Sequence, residues 1–144
     1  MTTFRKGDMF EAAGISIVTA SSTLSQDSTL VMGLGAAYAM KCKFPRAPKI
    51  FGAMIKEYCG DGGVYGLLLF GSVGVLQTKC HYNDKVDGAL ITYGLNILQV
   101  IAQGQQGITF NLTHPGMAYG KATLPEVETF INALPANVVV WEKA

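Results

Sequence analysis

The stretch Val31-Met32-Gly33-Leu34-Gly35-Ala36-Ala37-Tyr38 decides how the rest of the chain is read. Two glycines punctuate a loop that runs straight into small, helix-forming residues. Gly33 and Gly35 can take backbone angles closed to other residues and let a ligand come close. Ala36 and Ala37 then open a helix whose first amide hydrogens have no partner inside the helix. A loop and helix start of this kind seat an anionic group, a phosphate above all. Far along the chain stands a second small-residue loop, Pro115-Gly116-Met117-Ala118-Tyr119-Gly120-Lys121. Two such loops facing each other form a clamp for a diphosphate.

Outward from the first loop, the elements alternate. On its N-terminal side, Thr3 to Lys6 reads as a short strand ending at Gly7-Asp8, and Ile15 to Ala20 as a β-rich, mostly apolar central parallel strand. Ser21 to Leu30 is small and polar without periodicity, hence a loop. On the C-terminal side, the helix from Gly35 stops at Phe44 because Pro45 follows, with Met40 and Phe44 on its buried side. Pro48 to Tyr58 repeats helical spacing through Phe51, Met54, Ile55 and Tyr58, and Gly60 closes it. Val64 to Phe70 and Gly74 to Lys79 read as strands around the turn Gly71-Ser72. Asp84 is the expected cap of a long helix with Val86, Leu90, Tyr93, Ile97, Val100 and Ile101 on one face. Ile108, Phe110 and Leu112 alternate as a strand leading into the second loop. Thr123-Leu124-Pro125-Glu126 is a capping box, with Val127, Phe130, Ile131 and Leu134 as the buried stripe behind it. Val138 to Trp141 closes the chain as a strand. The order β-β-α-α-β-β-α-β-α-β implies a single α/β domain over residues 1–144, a mixed central sheet with helices on both faces. Ligands collect on such sheets where strands end and helices begin, which is where both loops sit.

Composition narrows the function classes. The 144 residues are 49% hydrophobic and 15% charged, which suits one well-buried domain rather than disorder. Net charge is only +1 with no run of Lys or Arg, so neither a nucleic-acid patch nor an anionic-membrane surface is expected. The apolar run Val64 to Leu76 is too short to span a bilayer, and the N-terminus lacks the apolar core of a signal peptide. The expectation is a soluble, cytoplasmic protein. Cys42, Cys59 and Cys80 are odd in number and widely spaced, matching neither a disulfide framework nor a zinc site, and read as reduced core or surface thiols. No metal-ligand cluster and no cofactor motif is present. A dinucleotide-binding fingerprint needs a third glycine where Tyr38 stands, directly after a strand. A P-loop needs four residues between its glycines, whereas Gly116 and Gly120 enclose three and Lys121 is followed by Ala122.

Several segments, in order, resemble the macro domain family that binds ADP-ribose. Gly7-Asp8-Met9-Phe10 looks like that family's Gly-Asp-hydrophobic opening. Ile17-Val18-Thr19-Ala20-Ser21-Ser22 is similar to a strand end usually written Ile-Val-Asn-Ala-Ala-Asn. Val31-Met32-Gly33-Leu34-Gly35 resembles the first phosphate loop, and Leu76-Gln77-Thr78-Lys79 a Phe-Pro-Thr-Lys segment followed by a helix carrying Gly94-Leu95. Gly116-Met117-Ala118-Tyr119-Gly120 aligns without gaps to the second loop, Gly-Cys-Gly-x-Gly. The resemblance covers nearly the whole chain and implies a three-layer α/β/α fold.

It also implies roles. Asp8 would accept a hydrogen bond from an adenine amino group, with the Met9 backbone reading the ring edge and Trp141 stacking on the base. Amides of Met32 to Gly35 and of Gly116, Met117, Ala118, Tyr119 and Gly120 would hold the diphosphate, and Ser22 would face the distal ribose. The implied partner is ADP-ribose or a related adenine nucleotide, free or carried on an ADP-ribosylated protein. The chain departs from the family at the reacting end. Ser22 replaces an Asn, and Leu34 and Gly120 replace the lysine and the acid with which one branch removes ADP-ribose from proteins. Hydrolysis at the distal ribose, by a phosphatase or a de-ADP-ribosylating enzyme, therefore stands as an alternative with only Ser22 and His114 as catalytic candidates and Asn111 nearby. Sequestration of a nucleotide signal is a further alternative.

Overall fold

Thr3–Lys6 (β1), Ile15–Ala20 (β2), Leu67–Phe70 (β3), Val73–Gln77 (β4), Phe110–Thr113 (β5) and Val138–Glu142 (β6) form one six-stranded sheet. They are seen in a computed structural model that describes residues 2–115 and 125–142. The strand order is β1-β6-β5-β2-β4-β3. Every neighbouring pair is parallel except β3 with β4, which the two-residue turn Gly71-Ser72 forces to run antiparallel. The mixed sheet is thus five parallel strands with one antiparallel edge. Among the described residues, four α-helices cover it: Gly35–Lys43 (α1), Ala47–Tyr58 (α2), Gly88–Gly104 (α3) and Pro125–Asn132 (α4).

Alternation along the strands builds two cores. Ile17 faces the side covered by α3 and α4, meeting Leu76, Leu95, Leu112 and Ile131, while Val18 faces α1 and α2, meeting Met40, Phe51, Ile55 and Val75. Both are fully buried, so β2 has no polar face, as its apolar sequence implies. The result is the expected α/β/α sandwich.

Several local details differ from the sequence reading. A single 3-10 turn, Met9–Glu11, follows β1, because the Asp8 carboxylate accepts from Phe10 N at 2.9 Å and caps it. β3 begins only at Leu67, since the amides of Tyr65 and Gly66 are taken by Gln77 Oε1 at 2.8 and 3.1 Å. Asp87, not Asp84, caps α3 by accepting from Ala89 N at 2.9 Å; Asp84 instead accepts from His81 N at 3.2 Å. The buried stripe of α3 is Leu90, Ile91, Gly94, Leu95, Leu98 and Ala102, leaving Val100 70% exposed and Tyr93 45%. This helix has no charged residue and is apolar nearly all round, so its period alone could not choose a face. Tyr58, at the end of α2, is likewise exposed. Thr123-Leu124 of the expected capping box lies outside the described residues.

Candidate ligand-binding cleft

Parallel pairing points the carboxyl ends of β1, β6, β5, β2 and β4 the same way. The residues leaving those strands, Gly7-Asp8, Glu142, His114, Ser21 and Thr78-Lys79, line a cleft of about 1350 Å³. The start of α1, from Gly33 to Ala37, lines it as well. Most buried polar residues lie at the same strand ends, Ser21, Ser22, Gln77, Thr78, Lys79 and His114, while Ser16 and Asn111 pair near the start of β2. A parallel sheet that places its polar side chains at one edge is built to bind there.

The phosphate-loop expectation rests on local geometry at α1. Gly35 has φ +58, a left-handed angle that a side chain would strain. Leu34 occupies the N-cap position with no side-chain hydrogen bond, and the first turn holds no acid. The helix therefore turns its positive end, with no carboxylate in its own first turn, toward the cleft. Among the described residues, a Cβ built on Gly33 or Gly35 meets nothing within 4 Å.

At the other end of the cleft stand Asp8, Met9 and Trp141. Asp8 is both cap and lining residue: one carboxylate oxygen holds the 3-10 turn at Phe10 N. Met9 is buried, with Thr113 Oγ1 3.6 Å from its sulfur. Trp141 Nε1 donates to Asn111 Oδ1 at 2.9 Å. His114 is buried at the cleft floor; burial in a low-dielectric setting lowers its pKa, partly offset by the carboxylates of Glu142 and Glu128.

The side chains of three expected positions fall elsewhere. Ser22 is fully buried, donating to the Gly63 carbonyl at 2.7 Å and lying 3.0 Å from that of Cys80, so it braces the chain behind β2 instead of facing a ribose. Ser21, one residue earlier, is on the lining. Met32 packs into the core on the α1 and α2 side. Asn111 is buried under the 3-10 turn and not at the ribose end. Gly116, Met117, Ala118, Tyr119 and Gly120 lie outside the described residues. Sequence reading passed over Lys79, Tyr82 and Lys43, which all line the cleft. Thr78-Lys79 directly follows a parallel strand next to β2, and that position was the available signal. Among the described residues, no three His, Cys, Asp or Glu side chains are grouped to hold a metal ion.

Solved structures share this fold. The macrodomain of Thermus aquaticus DarG superposes with a TM-score of 0.69 at 22% identity, covering 100% of this chain and 98% of that one. The chain has the macrodomain fold. A second macrodomain structure, that of Mycobacterium tuberculosis DarG, matches with a TM-score of 0.69 at 20% identity over 100% of this chain and 99% of that one. Thermosipho africanus DarTG in complex with ADP-ribose matches with a TM-score of 0.68 at 20% identity over 96% of this chain and 40% of that one. No family model matches the sequence, and no curated protein does. The macrodomain fold is therefore formed here by a sequence that shares only about a fifth of its residues with these neighbours. No helix among the described residues is long and apolar enough to cross a membrane.

Proposed function

We propose that this macrodomain binds ADP-ribose, or a nucleotide or modified protein that carries it, in the cleft at the carboxyl edge of the sheet. The observation that carries the reading is the uncapped, acid-free start of α1 opening on a cleft whose far end holds a carboxylate and an indole. The diphosphate lies against the amides of Gly33 to Gly35. The adenine lies between Asp8 and Trp141, where an aromatic platform contributes roughly 1–3 kcal/mol per stacked base. The fold of the ADP-ribose-bound DarTG structure supports the same ligand.

Binding is favoured over hydrolysis. Of Ser22, Asn111 and His114, only His114 lines the cleft. Ser22 and Asn111 have their polar atoms engaged by the protein itself.

Calorimetric titration with ADP-ribose tests the proposal, with Gly33→Val as the control. The Gly33 Cβ would meet no atom of the described residues within 4 Å, so the variant is expected to keep the wild-type thermal midpoint and to lose binding because its side chain occupies the phosphate's place. Absence of heat with the wild-type protein, or undiminished binding by Gly33→Val, overturns the assignment. Incubation with ADP-ribose 1″-phosphate and with ADP-ribosylated protein is expected to yield no product.

A further inference from the structure

Asn111 is 1% exposed, yet it is polar and sits in a strand otherwise made of Phe110, Leu112 and Thr113. Its Nδ2 donates to the Ala13 carbonyl at 3.0 Å, and its Oδ1 accepts from Trp141 Nε1 at 2.9 Å. These partners admit one orientation of the amide, because a carbonyl only accepts and an indole N–H only donates. No other side chain of this size and neutral charge serves both.

The two partners belong to the two sides of one end of the cleft. Ala13 follows the 3-10 turn that Asp8 caps, and Trp141 lies near the end of β6. In the β5–β6 register Trp141 is opposite Thr113, so Asn111 is its diagonal neighbour on the same sheet face. At the other edge of the indole, Cζ3 would be 3.7 Å from a Cβ on Gly7. The ring is thus anchored at Nε1 and rests at its far edge against the bend after β1. Rotation about its side-chain torsions breaks the bond to Asn111.

We propose that Asn111 is a positioning residue for purine recognition: by tying Trp141 to the backbone behind the Asp8 turn, it sets the spacing at which indole and carboxylate meet a base. The proposal rests on the adenine-nucleotide reading of the cleft and adds to it the group that makes the base end selective.

Trp141 is the sole tryptophan of the chain, so its emission reports on this contact without labelling. Asn111→Leu keeps the branching of the side chain, at a larger volume, and removes both hydrogen bonds. It is expected to raise the Kd for ADP-ribose about tenfold, within the range that a stacked base supplies, and to leave ribose 5-phosphate unchanged. The ligand-free variant is expected to show red-shifted emission and lower anisotropy as the indole is released. In a Trp141→Phe background the same substitution should change ADP-ribose affinity less than twofold, because the donor through which Asn111 acts is gone. Equal weakening of both ligands, an unchanged emission, or an undiminished effect in Trp141→Phe overturns the proposal. If Asn111→Leu does not fold, Trp141→Phe alone decides: it retains a ring but not the donor, and unaltered discrimination between the two ligands overturns the proposal. ADP-ribose binding that is indifferent to Asn111 removes this proposal only. A wild-type protein that takes no adenine nucleotide removes the functional reading and the purine role with it, and the emission arm then reports the indole anchor alone.

Discussion

His114 shows how a single residue at the cleft reports on its surroundings. Burial disfavours its charged form, so its folded-state pKa lies below the ordinary value of about 6.5. The unfolded chain then binds the proton more readily. Stability is fully present above about pH 6.5 and declines as pH falls from there toward the folded-state pKa. Thermal midpoints measured from pH 7.5 down to 5.5 are expected to fall for the wild type and to fall less for His114→Gln; parallel profiles overturn the assignment. Ser22 teaches a different lesson. Its motif position implied a ligand contact, but its hydroxyl is spent on Gly63 and Cys80, with Gln77 Nε2 at 3.3 Å completing the group. Those partners come from 41 and 58 residues away, beyond the reach of any local pattern. Asp8 is singled out by the Gly7-Asp8-Met9-Phe10 resemblance; that it also caps the 3-10 turn is shown by the structure.

Among elements, the segment from Ser21 to Leu30 departs most from its expected character. It is a structured turn: Ser25 N donates to the Thr29 carbonyl at 2.9 Å, Asp27 accepts from Thr29 Oγ1 at 2.9 Å, and Leu24 bridges Leu30. Leu30 N donates to the Pro48 carbonyl at 2.8 Å, which docks the turn on α2. The docking needs Gly52, where a Cβ would stand 2.1 Å from the Ser28 carbonyl oxygen. Gly52→Ala is therefore expected to push the turn off α2 and to lower stability by about 1–3 kcal/mol, as overpacking does. Urea unfolding measures it, and an unchanged midpoint refutes the contact. The ADP-ribose Kd serves as the second readout, because the same turn leads through Val31 into the phosphate loop. Polar composition marked this segment as lying between elements, but its internal bonds and its seat on α2 depend on backbone atoms that no composition specifies.

At the scale of the whole molecule, a ligand that binds only the folded cleft stabilises the entire domain. At about 100 times its Kd, ADP-ribose should add about 2.7 kcal/mol. For a chain of this size that raises the thermal midpoint by roughly 5–10 °C. Differential scanning fluorimetry checks it, with ribose 5-phosphate at the same concentration expected to shift the midpoint less; no shift with ADP-ribose contradicts a preformed cleft. What the chain determines by itself is the element order, the two-sided burial of β2 and the helix start at Gly35. Each is set by residues within a few positions of one another, through periodicity, capping and the special angles of glycine. Only tertiary structure decided which face of α3 is buried, that Asn111 holds Trp141, and that Ser21 rather than Ser22 reaches the cleft. A uniformly apolar helix takes its orientation from the sheet it meets. A buried polar side chain takes its role from whichever distant backbone or ring the fold brings within about 3 Å, the range of a hydrogen bond.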